Sequence, residues 1–576
     1  TNEENYLFQK LARMLGTNNV DHCARLCHSP TVTGLVATLG SGAMTNPIHD
    51  LIHSQCIFII GSNFAENYPI VSQWVWGAKK NGAKVIVADP RYTATAWMAD
   101  IYLGLKPGTD IALINGMMNT IINERLFNND FIRKRTIGFE KLCTVVNRYS
   151  PSYVEGITGV LQSKIHEAAG IYAQAEAAAI VYCMGVTQHT CGHENVISCA
   201  DLALICGQVG RPGTGVLPLR GQDNVQGACD MGALAEFLPG YVRVDDEVGR
   251  ASIAQKWRRE NLSGKPGLTV VEMMNAAAEG KIRAMYIMGE NPMVSDPNSR
   301  HVHEALAKLD FLVVEDIFFS ETAELANVVL PAASWAEKEG TVTATSRSVQ
   351  WRPKVVAPPG EAKADLEIIC EIGKRLGFRF SYQSVAEVLR EINSIVPSYA
   401  GITPERIKGK VGGLDWPCPS AEHHGTAILH SEAFTTSDGL GHIISVEHRP
   451  PAEQVSDEYP IILTTGRVAM HYNAGAMTRR TPSLLKRTSE LFVELNPDDA
   501  KIMGINASDE AKVSTRRGEV IVRAVITQRV SPGVAFIPFH FPGANILTND
   551  ALDPKAKIPE FKVCACKIVK AEREQI

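Results

Sequence analysis

No stretch of about 18 uninterrupted apolar residues occurs in the 576-residue chain, which argues against a membrane-spanning helix. No secretory signal is visible, and a reducing cytoplasm is the expected compartment. Basic excess is also missing: 57 Lys and Arg stand against 62 Asp and Glu. A net charge of -5 offers no field for nucleic acid, so none is expected as a partner. Thirteen cysteines are too few for a secreted disulfide framework of this length, and no C-x-x-C pair forms a zinc or cluster site. Cys564 and Cys566, in "FKVCACKIV", alternate like two half-buried residues of a strand.

What is present is the composition of a multidomain globular protein, 45% apolar and 21% charged. The opening "TNEENYLFQKLARMLG" places Tyr6, Leu7, Leu11 and Leu15 at helical spacing. It reads as the middle of a helix, and the first residue is Thr, so residues upstream of this chain are expected.

Short apolar runs recur, each ending in Gly or Asp before a loop: "CIFIIGSNF" (56–64), "AKVIVADPR" (83–91), "AAIVYCMGVTQ" (178–188), "RAMYIMGENP" (283–292) and "FLVVEDIFF" (311–319). Helix-length segments such as "PIVSQWVWGAKKNG" (69–82) and "DIALINGMMNTIINERL" (110–126) separate them. Buried strands alternating with helices predict parallel α/β sheets, with ligands beyond the carboxyl ends of the strands.

Two of these units read as copies. Gly61 precedes Asp89 by 28 residues, and Gly289 precedes Asp316 by 27. Six positions after each Asp stands a Thr (Thr95, Thr322), and eleven after it Asp100 or Asn327. Two unrelated units sharing turn chemistry would agree at fewer positions. The duplication predicts two half-sites holding similar ligands, with an acid at a strand end for ribose or purine donors. Gly-x-Asn (Gly61, Asn63; Gly289, Asn291) lets the backbone approach a ligand closely.

The stretch 207–227, "GQVGRPGTGVLPLRGQDNVQG", carries six glycines and two prolines and matches neither standard nucleotide fingerprint. A loop of this length is functional or poorly ordered. Residues 363–427 mix helices and loops. From about 428, strand-like runs and a hairpin turning near Arg517–Gly518 predict a β-rich closing domain, a barrel.

"DHCARLCHSP" (21–30) joins Cys27 to His28. Alone, the pair is compatible with a nucleophile and base, with metal ligands, or with a buried structural cysteine beside a histidine. Read with "LRGQDNVQGACDMG", the duplicated strand ends and the closing β domain, the chain resembles the molybdopterin-dinucleotide oxidoreductases over essentially its whole length. Among them it is most similar to formate dehydrogenase catalytic subunits of the formate dehydrogenase H type.

The resemblance implies two pseudo-twofold-related parallel α/β domains plus a C-terminal β-barrel domain. The expected division is 1–22 with 223–335 (second-dinucleotide domain), 23–222 (Cys27–His28 and the first dinucleotide), 336–427 (connecting region) and 428–576 (barrel). It implies molybdenum or tungsten bound by Cys27, between two molybdopterin guanine dinucleotides. Arg220 would bind formate, assisted by Gln222, and His28 would accept or relay the proton. Gly61, Asn63, Asp89, Arg91, Gly108, Asp110, Gly185 and Thr187 would hold one dinucleotide, and Gly289, Asn291 and Asp316 the other. Gly466, Arg467, His471, Asn545 and Lys562 of the closing domain would contact pyrophosphate or pterin.

Family members usually begin with a [4Fe–4S] domain, which this chain lacks; the cluster is expected in a missing N-terminal segment. Implied partners are formate or CO2 and an electron acceptor: an iron–sulfur or flavin subunit, or a hydrogenase module. The alternatives are another molybdopterin oxidoreductase such as a nitrate reductase, or a metal-free electron-transfer scaffold.

Overall fold

The computed structural model describes residues 1–571, which divide into two compact units. Residues 1–25, 220–293 and 301–427 form one; residues 26–219, 294–300 and 428–571 form the other.

The first unit begins with helix α1 (Asn2–Met14), which buries Tyr6, Leu7 and Leu11. Leu15, at the same spacing, lies just past the helix end and is 57% exposed. The polar side of α1 is buried too, which its amphipathic pattern did not predict. Lys10 is held there by Glu391 at 2.5 Å and Tyr382 Oη at 2.7 Å, with the rings of Tyr6, Trp257, Phe380 and Tyr382 all around its ammonium group. A buried cation is tolerable only with such partners.

In the second unit, helix α2 (Ser29–Leu39) starts immediately after the Cys27–His28 pair, with Pro30 in its first turn. It packs against helix α3 (Gly192–Ile205) at Gly34, where an added Cβ would lie 2.8 Å from a Val196 methyl. Beneath them runs a five-stranded parallel sheet of β1 (Cys56–Ile60), β2 (Lys84–Ala88), β3 (Ile101–Leu103), β4 (Ala178–Tyr182) and β5 (Gly215–Pro218). Its order is β3-β2-β1-β4-β5. The connections therefore change direction between β1 and β4, and a crevice opens at that switch point. Strands β1 and β4 are buried on both faces, which is why they read as continuous apolar runs.

The first unit carries the smaller counterpart: β6 (Ala284–Met288), β7 (Phe311–Asp316) and β8 (Val328–Pro331), parallel, in the order β8-β7-β6. The duplication extends to individual hydrogen bonds. Gly61 N–H donates to Ala88 O (3.0 Å) and Gly289 N–H to Glu315 O (2.8 Å). The Thr95 hydroxyl donates to Asn63 Oδ1 (3.1 Å) and accepts from Ala65 N–H (3.0 Å); the Thr322 hydroxyl donates to Asn291 Oδ1 (2.7 Å) and accepts from Met293 N–H (3.2 Å). Asp100 caps Val85 N–H at 2.8 Å, and Asn327 caps Leu312 N–H at 2.7 Å. The repeated Thr and Asp/Asn are thus structural ties of the two copies, one holding the Gly-x-Asn loop and the other the start of the middle strand.

The closing domain is a six-stranded closed barrel in the second unit. Its strands are β9 (Ile461–Gly466), β10 (Phe492–Leu495), β11 (Glu510–Ser514), β12 (Glu519–Ile526), β13 (Val534–Pro538) and β14 (Cys564–Lys570). The β11–β12 hairpin closes with Thr515 N–H bonded to Gly518 O at 2.8 Å. Cys564 and Cys566 are fully buried in the barrel core rather than half-buried, because Ala565 between them is covered as well.

Candidate active site

The Cys27–His28 pair sits at the N-terminus of α2, with His28 as its N-cap residue. Cys27 is 2% exposed, and its peptide is held from β4's loop: Thr187 Oγ1 donates to Cys27 O (2.5 Å) and Gln188 Nε2 to Leu26 O (2.7 Å). Thr187 therefore positions the cysteine backbone.

His28 is entirely buried. Its Nε2 lies 3.0 Å from Leu219 O and its Nδ1 2.9 Å from Thr31 Oγ1. A carbonyl only accepts, so Nε2 carries the hydrogen, and in the neutral ring Nδ1 accepts from Thr31. Thr31 in turn accepts from Tyr182 Oη at 3.0 Å. Two groups that the sequence did not single out meet the same carbonyl: Tyr68 Oη donates to Leu219 O at 3.0 Å, and so does Cys183 Sγ. Burial and the neighbouring Cys183 keep the Tyr68 phenol protonated, well above its ordinary range.

At the switch point Gly61 and Gly185 touch through their backbones: Gly185 N–H donates to Gly61 O at 3.0 Å. A Cβ on Gly61 (φ +56) would lie 2.6 Å from Gly185 C, and one on Gly185 2.5 Å from Gly61 Cα. Both glycines line a pocket together with Asn63, Asp89, Arg91, Gly108, Asp110, Gly466, Arg467 and Lys562. Ten of the sequence-derived binding residues thus face one cavity inside the second unit.

The pocket is electrostatically incomplete. Lys562 is buried and donates to Thr465 O (2.7 Å); burial lowers its pKa to about 8. Arg467 is buried and reaches Asn473 Oδ1 at 3.1 Å. Neither cation has a carboxylate in ion-pair range among the described residues, and Arg467 Nε and Asn63 Nδ2 are buried without a hydrogen-bond partner. Buried cations and donors of this kind fit an anionic ligand such as a pyrophosphate. Asp89 supplies an acceptor at the β2 end. Burial raises its carboxyl to about 6, while Oδ1 accepts from Arg91 N–H at 2.9 Å.

Other expected residues are already engaged. Arg91 faces the pocket but is clamped by Glu494 through two 2.7 Å bonds and stacks 4.1 Å over Phe536. His471 has both ring nitrogens bonded, to Thr478 Oγ1 (3.0 Å) and Thr488 O (2.8 Å). Asn545 donates to Val294 O (2.7 Å) and Ser295 O (3.1 Å), which ties that short segment to the second unit. Sequence reasoning also missed His189, which lines the pocket and lies 3.0 Å from Glu560 Oε1. Burial disfavours its charged form, but Glu560 and Asp110 outweigh this and raise its pKa.

In the first unit, Gly289 (φ +63), Asn291 and Asp316 cluster at the strand ends of the second copy, where Asp316 Oδ1 accepts from Ile317 N–H at 2.7 Å. Arg220 is 4% exposed; its N–H donates to Thr345 Oγ1 (3.1 Å) and its Nη1 to Cys229 Sγ (3.6 Å). Gln222 is half-buried, with its Oε1 enclosed and unbonded.

A duplicated parallel α/β unit, a pocket lined by buried cations at the switch point and a cysteine at a helix N-terminus fit the class of dinucleotide-holding redox proteins. The chain belongs to the molybdopterin oxidoreductase family: that family's model matches residues 1–375, and the model for the molydopterin dinucleotide binding domain matches residues 461–565. It is 52% identical to the F420-dependent formate dehydrogenase subunit alpha of Methanocaldococcus jannaschii, over 99% of this chain and 84% of that protein. It is 41% identical to formate dehydrogenase H of Escherichia coli, over 98% of this chain and 80% of the relative. Identity to the assimilatory nitrate reductase catalytic subunit of Bacillus subtilis is 38%, over 99% and 82%. Acetylene hydratase from Pelobacter acetylenicus shares the fold, with a TM-score of 0.80 at 21% identity over 98% of this chain and 84% of that structure. No helix among the described residues is long and apolar enough to cross a membrane.

Proposed function

We propose that this chain is the catalytic portion of a formate dehydrogenase, interconverting formate with CO2, one proton and two electrons. The observation that carries the reading is the Cys27–His28 pair at the α2 N-terminus, with His28 bonded to the carbonyl of Leu219, the residue before Arg220. Similarity to the two formate dehydrogenases supports it.

Cys27 would ligate molybdenum or tungsten, whose charge stabilises the thiolate. When bound, the metal with its two molybdopterin guanine dinucleotides supplies two-electron redox chemistry. Arg467, Lys562, Asn63 and Asp89 would hold one dinucleotide, and Gly289, Asn291 and Asp316 the other. Arg220 offers a carboxylate a planar two-donor partner, and Gln222 a further polar contact. In the neutral ring of His28, Nδ1, which accepts from the Thr31 hydroxyl, is the basic nitrogen. His28 takes the proton there, displacing the Thr31 hydroxyl hydrogen toward another acceptor. Electrons would pass to an iron–sulfur cluster and on to an iron–sulfur, flavin or hydrogenase partner in the cytoplasm.

Formate-dependent reduction of a viologen dye by the purified protein, with Mo and W analysis, tests the reading. Formate turnover with one metal per chain is expected. Turnover with nitrate and none with formate would transfer the chain to the nitrate reductases, and a metal-free protein would make it a scaffold.

A further inference from the structure

His22 lies in the same short stretch as Cys27 and has no part in the reaction proposed for the chain. It is half-buried in the first unit, where its Nδ1 accepts from Ala24 N–H at 3.3 Å, so in the neutral ring the hydrogen sits on Nε2. That Nε2 lies 3.5 Å from Cys229 Sγ. Arg220 Nη1 approaches the same sulfur at 3.6 Å. One thiol therefore receives two N–H donors, one of them charged. Burial, with the cations Arg25 and Arg220 nearby, pushes His22 down to about 3, and burial pushes the Cys229 thiol up to about 11. The ring and the thiol both stay neutral through the physiological range.

The surroundings keep this pair in place. Arg25 is locked by Asp21 (2.8 Å) and Glu236 (2.6 Å), which fixes the turn bearing His22. Asp230, next to Cys229, accepts from Tyr399 (2.5 Å), Gln226 (2.7 Å) and Tyr241 (2.9 Å). Both backbone segments are thus rigid on either side of the sulfur, while the guanidinium it meets sits on a glycine-flanked loop.

We propose that Cys229 is a positioning residue for substrate binding: its sulfur, oriented by His22 Nε2–H, holds Arg220 Nη1 and so sets the plane in which the guanidinium meets a carboxylate. The proposal rests on Arg220 being the formate-binding residue. A planar fork binds a carboxylate through two parallel bonds only in one orientation, so a rotated guanidinium loses affinity without losing charge.

The test uses the holoenzyme and compares Cys229→Ala, Cys229→Ser and His22→Leu. Cys229→Ala should raise the formate KM and the azide inhibition constant together by about tenfold, the equivalent of roughly one hydrogen bond to a charged group, with kcat changed far less. Cys229→Ser keeps an acceptor and should recover most of that loss. His22→Leu should give a smaller shift in the same direction. The azide-induced rise in unfolding temperature should shrink in parallel, which reads binding apart from turnover. If Cys229→Ala does not fold, His22→Leu carries the comparison, with Cys229→Ser as its near-wild-type reference. KM and azide affinity unchanged in the folded variants, or a loss in kcat alone, would overturn the positioning role. A wild-type protein that binds neither formate nor azide would instead overturn the formate reading itself.

Discussion

His28 donates through Nε2 to the carbonyl oxygen of Leu219, 3.0 Å away, and so is tied to the residue that precedes Arg220. The bond fixes which ring nitrogen carries the hydrogen and leaves Nδ1 to accept from Thr31. It also makes that carbonyl the meeting point of His28, Tyr68 and Cys183, three donors on one acceptor.

From this geometry, Thr31→Val should disturb the proton step while leaving substrate binding intact. Removing the hydroxyl on Nδ1 deletes the neutral ring's hydrogen-bond donor and makes protonation there less constrained. The pH profile of kcat should move while the formate KM stays within about twofold, since only the proton-holding group is altered. A profile identical to wild type would mean that Nδ1 does not take part.

Asp89 yields a prediction of opposite signs for stability and binding. Its folded-state pKa of about 6 exceeds the ordinary carboxylate value, so the folded chain binds more protons than the unfolded one between about pH 4 and 6. Its contribution to stability is greatest at low pH and is lost as pH rises through about 6. Asp89→Asn keeps the acceptor for Arg91 N–H and removes the buried charge. Cofactor-free protein carrying it should therefore melt higher at pH 7, by a margin that closes at pH 4, whereas the cofactor-loaded variant should retain less guanine dinucleotide on purification. Thermal melts at both pH values and nucleotide analysis of the preparation check this.

Gly61→Ala and Gly185→Ala should each damage the switch point. Either Cβ would press on backbone that has nowhere to move, and Gly61 also needs its left-handed φ. A cost of about 1–3 kcal/mol is expected for each, measured as lost denaturant resistance with lower dinucleotide content. Full stability in either variant would contradict the close packing described for these loops.

Thr95→Val and Thr322→Val probe the duplication. Each removes one hydroxyl that bonds the Asn of its Gly-x-Asn loop and a backbone N–H beyond it. Both should lower stability by about 1–3 kcal/mol, the cost of stranding a buried polar group. Hydrogen exchange should quicken at Ala65 N–H in the first and Met293 N–H in the second. Exchange that does not change would show that the repeated Thr does not hold the loop.

The chain's own sequence determined the alternation of strands and helices, the barrel and the duplication. These depend on local apolar periodicity and on residues repeated at fixed offsets, and both can be counted along a chain. Thr95 with Thr322 and Asp100 with Asn327 were visible as a pattern, and they turned out to make the same hydrogen bonds. The cluster around Asp89, Gly108 and Arg467 was reachable through family resemblance, since no local rule joins residues hundreds of positions apart. Tertiary structure alone decided which partners these groups meet. No pattern along the chain showed that Arg91 bonds Glu494, His471 the Thr478 hydroxyl, or Asn545 the 294–295 carbonyls. Tyr68, Cys183, His22 and Cys229 looked ordinary, because a side chain's partner is set by where the backbone returns in space. Folding brings three separate segments to Leu219 O and two to the Cys229 sulfur, and only there do a hydrogen's location and a ring's tautomer become determined.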